Sequence, residues 1–158
     1  MNRIFRVIKI QFFFLILINI SSCASKKNDK IETKINMEYQ HKLEACKKSY
    51  PFIRWRESFS HGLEQYTEEN CNKIKSVFDN LISELISAGE NIPEKEKVEI
   101  FKKAILLSNE LNDEIDGLIE TGEREDLCEL TDVITKACGI DPEKYGGGEG
   151  LATEWRDW

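Results

Sequence analysis

From residue 33 to about residue 140, apolar residues recur every three or four positions, the period of helices buried on one face. Ile35, Tyr39, Leu43 and Cys46 form such a face and predict a helix over 33–48. Tyr50-Pro51 ends it, because the residue before a proline avoids the helical region. Phe52-Ile53-Arg54-Trp55-Arg56 follows as an aromatic-rich connection with room for one helical turn. Leu63, Tyr66, Asn70, Ile74, Val77, Leu81, Leu85 and Ala88 predict a second helix that stops at Gly89. His61-Gly62 delays its start to Thr67, a good N-cap with Glu68 and Glu69 beside the positive helix end. A third helix opens at Asn91-Ile92-Pro93-Glu94 and turns Val98, Phe101, Ile105, Leu111, Ile115 and Leu118 to the core. A fourth begins near Thr121, carries Leu127, Leu130, Ile134 and Ala137, and stops at Gly139 with Ile140 placed for a Schellman contact. Asp141-Pro142-Glu143 is suited to cap one further turn.

No stretch alternates apolar and polar residues as a half-buried strand does. The expected fold is therefore all-α: an antiparallel bundle of about four helices joined by short connections. The bundle domain is placed at 33–145. Gly146-Gly147-Gly148-Glu149-Gly150 reads as a flexible hinge, and 146–158 as a hinge with a tryptophan-containing tail.

The first 32 residues follow a different pattern. Arg3, Arg6 and Lys9 are positive, and no acidic residue precedes Asp29. Phe12 to Ile18 is apolar, and Ile20-Ser21-Ser22-Cys23 closes the run. This is the layout of a secretory signal over 1–22. A membrane-spanning helix needs about 20 apolar residues, and Ile10 to Ile20 is only 11 long with Gln11 and Asn19 inside it. Ile20-Ser21-Ser22-Cys23 resembles the lipobox of bacterial lipoproteins. That resemblance implies cleavage before Cys23 and acylation of its thiol with a diacylglyceryl group, leaving residues 23–32 as a lipidated tether. Ala24, rather than an aspartate, follows the cysteine, and under the aspartate retention rule this implies the outer membrane. The implied location is the periplasmic face of the cell envelope.

Removal of residues 1–22 changes the charge. The whole chain is −7, whereas residues 23–158 hold 19 basic and 29 acidic side chains, net −10. Residues 23–80 are +2 and residues 81–158 are −12. Such an acidic half repels phosphate backbones, which argues against nucleic acid, and attracts a basic partner. The plainer alternative is the solvated face of a bundle.

Export also bears on the four remaining cysteines, because disulfides persist outside the cytoplasm. Cys128 and Cys138 lie on one predicted helix about 15 Å apart, too far to bond. Cys46–Cys71 is the preferred bridge and Cys46–Cys128 the second, with Cys138 unpaired. The alternative is four buried thiols acting as small hydrophobes.

Residues for catalysis are scarce. His41 and His61 have no partner pattern, no Gly-x-Ser-x-Gly turn is present, and the glycine run lacks the Lys-Ser or Lys-Thr of a phosphate loop. No close cysteine pair has zinc spacing, and no EF-hand spacing occurs, so no metal and no cofactor is expected. Glu110, Asp113, Glu114, Asp116, Glu120, Glu123, Glu125, Asp126 and Glu129 gather around the third turn of the bundle. Trp155 and Trp158, three apart, face one way on a helical turn, either folded onto the bundle or anchoring a partner. The segment from Leu127-Cys128-Glu129-Leu130 through Cys138-Gly139-Ile140-Asp141-Pro142 to Trp155-Arg156-Asp157-Trp158 resembles small helical bacterial proteins, a likeness that carries over no functional residue.

Two expectations of function follow. The first is a non-enzymatic, lipid-anchored binding protein. One concrete version is an immunity or inhibitor protein that covers a basic toxin or hydrolase through Glu120, Glu123 and Glu125. The second is a structural or assembly lipoprotein of the envelope, contacting its partner through Trp155 and Trp158.

Overall fold

A computed structural model gives the fold and describes residues 36–158. The signal peptide, Cys23 and the tether lie outside the described residues. Helix α1 covers residues 36–45 and tightens into a 3-10 turn at Cys46–Ser49. It is followed by α2 (Phe52–Ser58), α3 (Glu68–Ala88), α4 (Glu94–Glu114) and α5 (Thr121–Ala137). All regular structure among the described residues is helical, with short 3-10 turns at the joints and at the C-terminus. The connection at 52–56 is therefore a helix of its own, with Phe52 and Trp55 buried one turn apart.

Local signals set the ends. The Thr67 hydroxyl accepts from Asn70 N at 3.1 Å, so α3 starts where its N-cap stands, and Leu63 is left exposed before it. Gly89 ends α3 with φ 88°. At the end of α5, Gly139 N donates to Lys136 O and Ile140 N to Thr135 O, each at 3.0 Å, which is the full Schellman pattern. Ile140 is buried, as its closing contact requires. The Asp141 side chain accepts from Glu143 N and caps the turn Pro142–Lys144.

Antiparallel packing joins α3 and α4. Val77, Leu81 and Glu84 of α3 line one depression with Ile100, Lys103, Ala104 and Leu107 of α4, and Glu84 pairs with Lys103 at 3.6 Å. The buried side of α3 comprises Cys71, Ile74, Val77, Phe78, Leu81, Ile82 and Leu85, and α4 contributes Phe101, Ala104 and Ile105. Each fully buried leucine, isoleucine or phenylalanine contributes roughly 1.5–3 kcal/mol. Ile115 is the residue that ends α4, while Leu118 is buried in the turn to α5.

Lys97 is a buried cation with a structural use. Its Nζ donates to Cys138 O at 2.8 Å and lies 5.5 Å from the Tyr39 ring centre. A positive charge is thereby held at the negative end of α5 from a neighbouring helix.

The C-terminal residues correct the expected hinge and tail. Residues 146–158 pack against α4 and α5, with Leu151 and Ala152 fully buried, so the domain extends beyond residue 145 to the end of the chain. At Gly150, φ is 91° and a Cβ would collide with the Asp132 carboxylate. At Gly146, with φ 58°, a Cβ would lie 2.7 Å from that of Thr153. These glycines permit close approach rather than free rotation. Asn109 Nδ2 donates to Trp155 O at 2.9 Å, and both Trp155 and Trp158 rest half-buried against the core.

The cysteines are likewise a correction. Cys46, Cys71, Cys128 and Cys138 are all free thiols, and neither Cys46–Cys71 nor Cys46–Cys128 is bridged. Cys46 Sγ points to Lys42 O and Val133 O, and Cys138 Sγ to Thr135 O at 3.2 Å. Cys71 lies in the α3 face, buried among apolar side chains. Cys46, Cys71 and Cys138 thus act as the small hydrophobes of the alternative reading.

A candidate docking groove between α2 and α5

The aromatic connection and the start of α5 build one site. Phe52 and Trp55 stack edge to face at 5.3 Å, and Trp55 lies 6.1 Å from Tyr66, so the indole is fixed from two sides. Its Nε1 donates to Asp126 Oδ2 at 2.7 Å. The same carboxylate pairs with the Arg54 guanidinium, whose side chain is otherwise exposed. Asp126 is thus held by one buried neutral donor and one surface cation.

Two depressions flank this pair. One, of about 340 Å³, is lined by Trp55, Ser58, Gly122, Glu123, Glu125 and Asp126. The other, of about 320 Å³, is lined by Lys48, Tyr50, Pro51, Glu129 and Leu130. Arg54 and Asp126 border both. Glu123, Glu125 and Glu129 take no part in the ion pairs of the described residues; Arg54, near Glu123 and Glu129, is already engaged by Asp126, and Lys48 stands at the rim beside Glu129. Burial, reinforced by the nearby Glu123 carboxylate, pushes the Tyr66 phenol well above its ordinary range and keeps it neutral. Burial and the Asp79 carboxylate, 3.0 Å from its hydroxyl, do the same to Tyr50. The groove offers carboxylates on an aromatic floor, which suits a lysine or arginine with an apolar stem.

The structure divides the residues singled out from the sequence. Glu123 and Glu125 line the groove; Glu120 stands outside it, exposed at the N-cap of α5 near Gly117 and Gln65. Trp155 and Trp158 are engaged with the bundle and do not line it. Cys46 borders a separate apolar depression with Val133 and Ala137, and Cys71 and Cys128 border none of these. His41 and His61 are exposed. Among the described residues no three histidine, cysteine or carboxylate side chains are grouped to hold a metal ion. None of the described helices is long and apolar enough to cross a membrane.

Arg54 and Trp55 were the site residues that the acidic pattern alone did not indicate. The available signal was the clustering of aromatic and basic side chains at 52–56, but nothing local says that Asp126 meets it. Compared with protein-family models, curated proteins and solved structures, the chain matches none of them.

Proposed function

We propose that the chain is a lipid-anchored binding protein of the bacterial envelope, cut before Cys23 and acylated there, with no catalytic role. Its bundle docks a basic protein partner in the groove between α2 and α5. The concrete version is an immunity or inhibitor protein that covers the basic surface of a toxin or hydrolase. The observation that carries the reading is the grouping of Glu123, Glu125 and Glu129 around the Trp55–Asp126 pair, where the cations lining the groove are Lys48 and Arg54 and Arg54 is already engaged by Asp126. A scaffold that contacts its partner through the aromatic tail is supported less, because Trp155 and Trp158 already pack on the bundle.

The test compares the mature lipidated protein with two variants in pull-downs from envelope extracts. A basic protein, identified by mass spectrometry, is expected with the unaltered chain and with Glu120→Lys, and is lost with Glu123→Lys/Glu125→Lys. Equal recovery by the double reversal would overturn the docking surface. Intact mass of the membrane fraction tests the anchor separately: Cys23→Ala is expected to leave an uncleaved, unacylated precursor.

A further inference from the structure

The acidic groove is one end of a longer feature. Along α5, Gly122, Asp126, Glu129, Val133 and Lys136 follow at steps of three or four and so share one face. The chain opposite runs the other way: Trp55 meets Asp126, Tyr50 and Pro51 share a depression with Glu129 and Leu130, and Cys46 meets Val133. Three depressions therefore follow one another along this seam. The third, of about 480 Å³, lies between Lys42 and Ala45 on α1 and Val133, Lys136 and Ala137 on α5.

The character of the seam changes along its length. Its first end carries Glu123, Glu125 and Glu129, together with Lys48 and with Arg54, whose charge Asp126 engages. Its far end has an apolar floor of Ala45, Val133 and Ala137 between two lysines. Lys42 pairs with Glu38 at 3.3 Å, an exposed contact that yields readily. Lys136 has no ion pair among the described residues. From Gly122 to Ala137 the helix spans about 22 Å at 1.5 Å per residue.

We infer that the seam takes one protein segment of matching polarity. Its lysine or arginine side chains lie over the Glu123–Glu129 end, and an apolar residue next to an aspartate or glutamate lies over Val133 and between Lys42 and Lys136. This rests on the docking groove proposed above and extends it, by charge complementarity, into a site with a direction. A uniformly basic segment would set its charges against Lys42 and Lys136, and like charges brought together across an interface disfavour the wrong register.

The experiment uses the mature chain and a fluorescent 15-residue peptide with three arginines at one end and Leu-Glu-Glu at the other, read by anisotropy. A scrambled peptide of the same composition is the control. Binding is expected to weaken by about tenfold for the scramble, for Glu125→Lys/Glu129→Lys and for Lys42→Glu/Lys136→Glu. All four positions are exposed, and circular dichroism checks that the fold is kept. A peptide ending in Leu-Lys-Lys is expected to regain affinity on Lys42→Glu/Lys136→Glu. If only the glutamate reversals matter, the directional seam is overturned and the acidic groove stands. If the scramble binds equally, the direction alone is overturned; if neither pair of reversals matters, both fall.

Discussion

The Trp55 indole donates to Asp126 Oδ2 at 2.7 Å and ties the buried face of α2 to the second turn of α5. Trp55 is almost fully buried, and Asp126 is the hydrogen-bond partner of its N–H, which removal of the carboxylate leaves unpaired. Asp126→Ala is therefore expected to cost about 1–3 kcal/mol, the penalty of an unpaired buried donor. Arg54→Ala, which removes only an exposed partner of the same carboxylate, is expected to cost less than about 1 kcal/mol. Urea unfolding of the two variants checks this order, and equal losses would show that the surface ion pair carries the contact.

Thiol reactivity follows from burial. Burial pushes the Cys138 thiol up to about 11, opposed by the Lys97 ammonium beside it. Cys46 and Cys71 are also raised, chiefly by burial, and both are enclosed in the core. Cys128 is raised by burial too, but it is partly exposed. Iodoacetamide at pH 8, followed by peptide mass mapping, is expected to label Cys128 first and the other three only on unfolding. Labelling of Cys138 as fast as Cys128 would contradict the packing at the end of α5.

What the sequence makes legible is what is encoded locally. Thr67 caps α3 with its own hydroxyl, and Gly139-Ile140 closes α5 within six residues, so both ends are readable from residue type and spacing. The groove is not encoded in that way. Its acidic half can be seen as a charge run, but the floor comes from Trp55, which meets Asp126 across 71 positions of chain. The glycine run misleads for a related reason. Glycine marks both hinges and close approaches, and only the position of Asp132 and Thr153 decides between them. With the cysteines, position in the fold decides: Cys46 faces the backbone carbonyls of Lys42 and Val133 and is bridged to neither Cys71 nor Cys128.

Those close approaches give a paired test. Gly148→Ala and Gly150→Ala both place a side chain at positive φ, at 100° and 91°, a backbone strain of about 1–3 kcal/mol that is greater at Gly150, where ψ is 168°. Only at Gly150 does the new Cβ also strike a side chain, the Asp132 carboxylate; at Gly148 it meets open space. Gly150→Ala is expected to lower the unfolding midpoint clearly more than Gly148→Ala. Equal effects would mean that the tail moves off Asp132 without loss.

Asp132 itself sets a pH dependence of known sign. Burial raises its carboxyl above the ordinary carboxylate range, partly offset by Lys136. The fold therefore favours the protonated form more than the unfolded chain does. Its contribution is fully present below the unfolded value of about 4. That contribution is lost as pH rises through the higher folded value. Asp132→Asn keeps the shape and removes the charge, so it should follow the parent at low pH and become the more stable protein as pH rises. Melting curves of both proteins from pH 3 to 7 should show a gap that opens above about pH 4 and then levels off. A gap that stays constant over the range would mean that Asp132 titrates alike in both states. The tail packed over it through Gly150 would then have left that carboxylate as well solvated as in the unfolded chain.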